Sequence, residues 1–130
     1  MIVAMHVAAG AAVGALAGSR ARAVALGLGL HGLQDAVPHE DIRSRSFEIA
    51  SGVGLLGLLA VRRGLFDPAV LGAAACAAPD LEHVLPLPKP GGRDLYPSHR
   101  VPGWHQEGGL SVWIQLAASG VIVAVLARRG

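Results

Sequence analysis

Charge is scarce in this chain. Asp, Glu, Lys and Arg make up 15% of its 130 residues, against about a quarter in a typical water-soluble domain. Aromatic residues amount to 4% and the formal net charge to only +2. The arginines come in scattered pairs, without a basic stripe or a stacking platform among them, so nucleic-acid binding is excluded as a function class. With one cysteine, Cys76 in "LGAAACAAP", the chain can form no internal disulfide. Cys76 reads as a small packing residue among alanines. Long polar segments are also scarce. The main one is "PLPKPGGRDLYPSHRVPGWHQEGG", residues 86–109, whose prolines and glycines make it a loop.

What fills the chain instead is apolar and small. Hydrophobic residues make up 52%, with 18 glycines, and the mean hydropathy is +0.49. Five apolar segments stand out, at Ile2–Gly18, Ala21–Val37, Phe47–Val61, Leu65–Ala78 and Leu110–Ala127. They predict an all-α single domain over residues 1–130, an integral membrane bundle of about five short transmembrane helices with one long polar loop. Segments three and four are the weakest spans and can form a hairpin that does not fully cross. Small residues at three- and four-residue spacing, as in "AAGAAVGALAG", let helix backbones approach closely. The first segment lacks a basic leader, and Arg20 and Arg22 follow it, so it reads as a retained helix and not as a cleaved signal.

Five alternating crossings put Arg20, Arg22, Arg62, Arg63, Arg128 and Arg129 on one side, which the positive-inside tendency makes cytoplasmic. The other side receives all six histidines, His6, His31, His39, His83, His99 and His105. It also receives eight of the nine acids, Asp67 alone lying opposite. "HGLQD" places His31 and Asp35 four apart on one helix face, and "PDLEH" places Asp80 and His83 three apart. Imidazoles and carboxylates at such spacings suit a divalent metal, zinc above all. Taken singly, each element also has a bland reading. His-x-x-x-Asp is a hydrogen-bonded pair, "PDLEH" a helix end, and "PHEDIRSRS" a solvated connection. Joint placement on one side is what favours a metal.

These short motifs resemble those of the small membrane-bound metal-dependent hydrolases (YdjM-like). "MHVAAG" is similar to the family's early histidine through His6, and "PDLEH" to its Pro-Asp-x-Asp-His motif, with Glu82 in place of the middle acid. "SHRVPGWHQ" is similar to its His-Arg…His motif through His99, Arg100 and His105, with one extra residue in the gap. "HGLQDAVPH" is similar to its His-x-x-x-Asp element, which here precedes the Pro-Asp motif. The resemblance implies a metal-dependent hydrolase. The metal ligands are then His6, His31, Asp35, Asp80, His83 and His105. Glu82 or His99 would transfer the proton, and Arg100 would hold an anionic group of the substrate. A site at the non-cytoplasmic bilayer surface implies membrane lipid as a partner, and a lipid or another phosphoester as substrate. The rival expectation is a non-enzymatic membrane protein whose metal site or polar network joins helix ends. A metal or proton carrier is the third class, but no second ligand layer along a path is visible in the sequence.

Overall fold

The computed structural model describes residues 1–128; Arg129, one of the paired arginines above, lies outside the described residues. The chain is all-α. Its helices are α1 (Val3–Leu16), α2 (Arg20–Asp35), α3 (Arg45–Arg63), α4 (Pro68–Ala77), α5 (Leu81–Val84), α6 (Pro97–Arg100) and α7 (Val112–Ala127). Short 3-10 turns occupy Ala78–Asp80 and Pro90–Gly92.

Local chemistry sets the helix ends. The side chains of Ser19, Ser44, Asp67 and Ser111 accept from backbone N–H groups of the first turns of α2, α3, α4 and α7. Pro68 opens α4, where its missing N–H costs nothing. Gly64 stops α3 with φ 89°. Pro79 converts the end of α4 into a 3-10 turn, which carries Asp80.

Helix α1 is the hub, packed on α2, α3, α4 and α7. The core is built from Val7, Ala8, Ala11, Leu59, Ala69, Val70, Ala73, Val123 and Leu126. Small residues decide how close the helices come. A Cβ on Gly10 would strike the Gly72 carbonyl oxygen, and one on Gly72 would strike that of Gly10, so α1 and α4 touch backbone to backbone.

The expectation of an integral membrane protein is overturned: among the described residues, no helix is long and apolar enough to cross a membrane. Helices α2 and α7 have 16 residues each and α1 has 14. At ~1.5 Å per residue, 16 residues rise about 24 Å, short of the ~30 Å hydrocarbon layer. Helix α3 is longer, with 19 residues, but it holds Arg45, Glu48, Arg62 and Arg63. The transmembrane bundle, the non-cytoplasmic placement of the site and the positive-inside assignment therefore fall together. Composition misled because part of the apolar content is alanine, such as Ala8, Ala11, Ala69 and Ala73, buried where α1 and α4 touch. Large apolar side chains such as Leu16, Val61 and Trp113 do remain exposed.

The antiparallel arrangement itself holds. The start of α1, the end of α2 and the end of α4 meet at one end of the bundle, as the contacts of His6, His31, Asp35 and Asp80 show. The 86–109 loop, carrying α6, folds back onto that end.

Candidate metal centre

His6 enters from the first turns of α1, and His31 and Asp35 from one face of the last turns of α2. Asp80 comes from the 3-10 turn after α4, and His99 from α6. His6 and His31 are fully buried, and their rings stack with centroids 4.2 Å apart. Asp35 lies at the centre. Its Oδ2 is 3.1 Å from His31 Nε2 and 3.4 Å from His99 Nε2, and its Oδ1 is 3.4 Å from His6 Nε2. Asp80 completes the group, with carboxylate oxygens 3.8 Å from His6 Nε2 and 3.8 Å from His31 Nε2.

The outer nitrogens settle what the inner ones offer. His6 Nδ1 donates to Gln34 Oε1 at 3.0 Å, and His31 Nδ1 to the Cys76 carbonyl at 2.7 Å. His99 Nδ1 donates to Glu82 Oε1. Each acceptor is an oxygen, so each Nδ1 carries the proton in the neutral ring, and each Nε2 lone pair points inward. The lone pairs of His31 and His99 face each other across 3.1 Å. His6 Nε2 and Asp80 Oδ2 are buried with no hydrogen-bond partner. In the neutral rings, three imidazole lone pairs and two carboxylates thus converge, and the donors beside them are Ser98 Oγ–H and the Met1 amino group. Neighbouring ligands of a tetrahedral zinc with bonds of about 2.0–2.1 Å stand roughly 3.3 Å apart, a spacing that this group matches. His6, His31 and Asp35, and likewise His31, Asp80 and His99, are placed to hold a metal ion.

Electrostatics agree. Burial pushes the Asp35 carboxyl up, but His31, His6 and His99 together hold it well below the ordinary carboxylate range. Burial disfavours a charged His99, yet Asp35 and Glu82 raise its pKa above the usual imidazole value. A proton on His99 between Asp35 and Glu82 meets part of that negative charge, in the place that a cation would otherwise take. Cys76 is not a thiolate ligand: burial drives its thiol up to about 12, and Sγ–H donates to Gln34 Oε1 at 3.2 Å.

The remaining expected residues are placed differently. Glu82 is buried and committed to His99 Nδ1 and to the backbone N–H groups of Leu95 and Tyr96, which leaves it supporting His99 and poorly placed to shuttle protons. His99 sits among the ligand candidates themselves. Arg100 is exposed and spends its guanidinium on the carbonyls of Asp94 and Leu95, bracing the loop. His83 is exposed, with its ring 4.5 Å from that of His99, and with Glu82 and His99 it forms a further group that could hold a metal ion, on the wall of the cleft described below. His105 lies outside the inner group, beside His39 and Asp41.

A cleft of about 400 Å³ opens onto Asp35, Asp80 and His99; Arg45, Glu48 and His83 line its walls, and Asp41 and His105 also reach it. No family model, curated protein or solved structure matches the chain. The site has therefore to be read from its own geometry. Sequence reasoning passed over Gln34, Ser98, Arg45 and Glu48. Ser98 donates to Asp35 Oδ2 at 2.9 Å. Gln34 had a readable signal, one residue before Asp35 at a helix end rich in polar groups. Arg45 and Glu48 had none beyond helix-start chemistry, since only the packing of α3 brings them to the cleft.

Proposed function

We propose that the chain is a divalent-metal-dependent hydrolase acting on a phosphoester or similar anionic ester. Its metal, zinc by donor chemistry, would be held by His6, His31, Asp35, Asp80 and His99. The carrying observation is the convergence of three Nε2 lone pairs on two carboxylates, with His6 Nε2 and Asp80 Oδ2 left without a partner. The short motifs similar to those of the YdjM-like hydrolases support the same reading. A divalent cation there would supply Lewis acidity and activate water at neutral pH.

The chain's own residues have separable tasks. Gln34, the Cys76 carbonyl and Glu82 orient the three rings. Glu48 stands on the cleft wall, where burial raises its carboxyl above the ordinary range, suiting it to accept a proton. Arg45 lines the same wall and donates to the His83 carbonyl, leaving further N–H groups for an anionic substrate. The argument for a lipid substrate rested on a bilayer placement that the helix lengths do not support, so the reading is kept at the shared chemistry, an anionic phosphoester. A purely structural metal tying helix ends is the second reading, favoured by complete burial of His6 and His31. The open cleft at Asp35, Asp80 and His99 favours catalysis, because a structural ion is closed off by its ligands.

The test combines metal analysis with hydrolysis of p-nitrophenyl phosphate and bis(p-nitrophenyl) phosphate. Stoichiometric metal is expected, together with turnover lost on chelation and in His31→Ala and Asp35→Asn. Metal retained by both variants would refute the site. Bound metal without turnover, on these and on carboxylic esters, would leave the structural reading.

A further inference from the structure

A second set of ring nitrogens converges on a carboxylate at the rim of the same cleft. His39 is buried, although it belongs to a connection that composition marks as solvated. Its Nδ1 donates to the Val37 carbonyl at 2.6 Å, so its Nε2 offers a lone pair. That atom faces His105 Nε2 at 2.9 Å and Asp41 Oδ1 at 3.3 Å, and His105 Nε2 is 3.0 Å from Asp41 Oδ2. As in the inner group, ring nitrogens are aimed at a carboxylate; a carbonyl fixes His39 from behind, while His105 Nε2 bridges His39 and Asp41 and must give up its proton to bind a cation.

The rim group is built, and not a chance meeting of loops. His39 N–H donates to the Gln106 carbonyl at 3.1 Å, Gly108 N–H to the His39 carbonyl at 3.1 Å, and Leu110 N–H to the Pro38 carbonyl at 2.9 Å. Gly109, at φ 85°, allows this approach, since a Cβ there would meet the Pro38 carbonyl oxygen at 2.5 Å. Gln115 Nε2 ties the Glu40 and Leu110 carbonyls together at 2.8 and 3.0 Å. Asp35 is the link to the inner group. Its Oδ1 and Asp41 Oδ1 lie 3.6 and 3.8 Å from one atom, the Met1 amino nitrogen, which also contacts His39 Nε2. The Met1 amino group already stands between the two carboxylates, and it is the rival occupant.

We propose that His39, Asp41 and His105 hold a second divalent cation beside the first, with Asp35 facing both, so that the cleft contains a two-metal centre. This deepens the hydrolase reading and rests on the inner site. Two cations clamping one anionic group suit phosphoester chemistry, where both the attacking and the leaving oxygen need charge stabilisation. The donor set of two imidazoles with carboxylates suits zinc, manganese or iron.

Metal-free full-length protein would be titrated with Zn²⁺ and with Mn²⁺ by calorimetry, and the bound metal counted. Two equivalents are expected. His105→Ala, at an exposed position that tolerates truncation, and Asp41→Asn should each weaken the second binding event by more than about tenfold and leave the first unchanged. Asp35→Asn should weaken both. One equivalent in the wild type, unaffected by His105→Ala and Asp41→Asn, would overturn the second site and leave the inner one standing; the Met1 ammonium would then be the occupant. Equal loss of both events in the rim variants would likewise overturn it. Binding of no metal would remove the inner site as well.

Discussion

The two ends of this bundle are closed in different ways. At one end, Gly64 and the Asp67 cap turn α3 into α4, and Arg63 donates to Asp67 Oδ1 at 3.0 Å and to the Leu126 carbonyl at 3.0 Å. There the acid Asp67 meets Arg63, and the Leu126 carbonyl meets a donor. At the other end, three buried or half-buried histidines and two aspartates point acceptors at one another. Among the described residues, both buried side-chain atoms without a partner, His6 Nε2 and Asp80 Oδ2, are found there. Buried polar groups lacking a partner cost about 1–3 kcal/mol each. One end is thus satisfied by protein groups alone, and the other presents converging acceptors that could hold a metal ion.

Metal removal should break this symmetry most. With free zinc at about a thousandfold over its Kd, the wild type should gain about 4 kcal/mol, a rise in Tm on the order of 10 °C. His31→Ala should erase that gain, and Asp67→Asn should keep it whole. Thermal melts with zinc and with chelator read the difference, and equal melting in both would show that the site end is as self-sufficient as the other.

The shared waist comes next. Gly10→Val drives side-chain atoms into the Gly72 carbonyl and Cys76, where helices α1 and α4 touch. A cost of about 3 kcal/mol is expected from denaturant unfolding. Because Cys76 O orients His31, metal affinity should fall as well. Loss of stability with unchanged affinity would mean that the site end is insulated from helix packing.

How much of this was legible follows from chain separation. His31 and Asp35 were legible because a helix face fixes residues four apart. His6 and Asp80 followed from antiparallel segments that return to one end, whether or not a membrane surrounds them. His99 was named for a different task, since nothing in its spacing shows that its Nε2 meets Asp35, 64 positions away, while Glu82 takes its Nδ1. His83 was paired with Asp80 on a regular helix, but Pro79 inserts a 3-10 turn that sends Asp80 inward and leaves His83 exposed. His39 and Asp41 looked like a solvated connection because the backbone ladder joining 38–40 to 106–110 is long-range. The all-α class was legible from the apolar segments. The membrane was misread because hydrophobic fraction counts Ala and Leu alike, whereas helix length and end charges decide what can span.

A smaller effect tests how the site end is held. Gln34 Oε1 accepts from His6 Nδ1 and from Cys76 Sγ, and Gln34 is buried. Gln34→Leu leaves both donors unpaired and lets the His6 tautomer change. Stability should fall by about 2 kcal/mol and metal affinity by about ten- to a hundredfold. Gln34→Glu, which restores an acceptor oxygen, should recover the affinity in part. An affinity unchanged in Gln34→Leu would mean that His6 does not depend on its outer nitrogen for aim.

The smallest effect belongs to the closed end and has a pH signature of its own. Burial pushes the Asp67 carboxyl up, but the Arg63 guanidinium and the Ala69 N–H outweigh it and hold the carboxyl below its ordinary value. A carboxylate with a depressed folded-state pKa stabilises the fold above its unfolded pKa of about 3.9, and that contribution is lost as pH falls through the folded value. Asp67→Asn retains a helix-capping oxygen and removes only the charge. The ion pair is largely screened by solvent, so the variant should lose no more than about 1 kcal/mol at neutral pH. The gap to wild type should hold steady above about pH 5 and shrink below about pH 4. Chelator should leave it unaltered, since Arg63 and Asp67 sit at the end without metal ligands. A gap that changed on metal removal would couple the two ends through α4, whose N-terminus Asp67 caps and whose C-terminal turn carries Asp80.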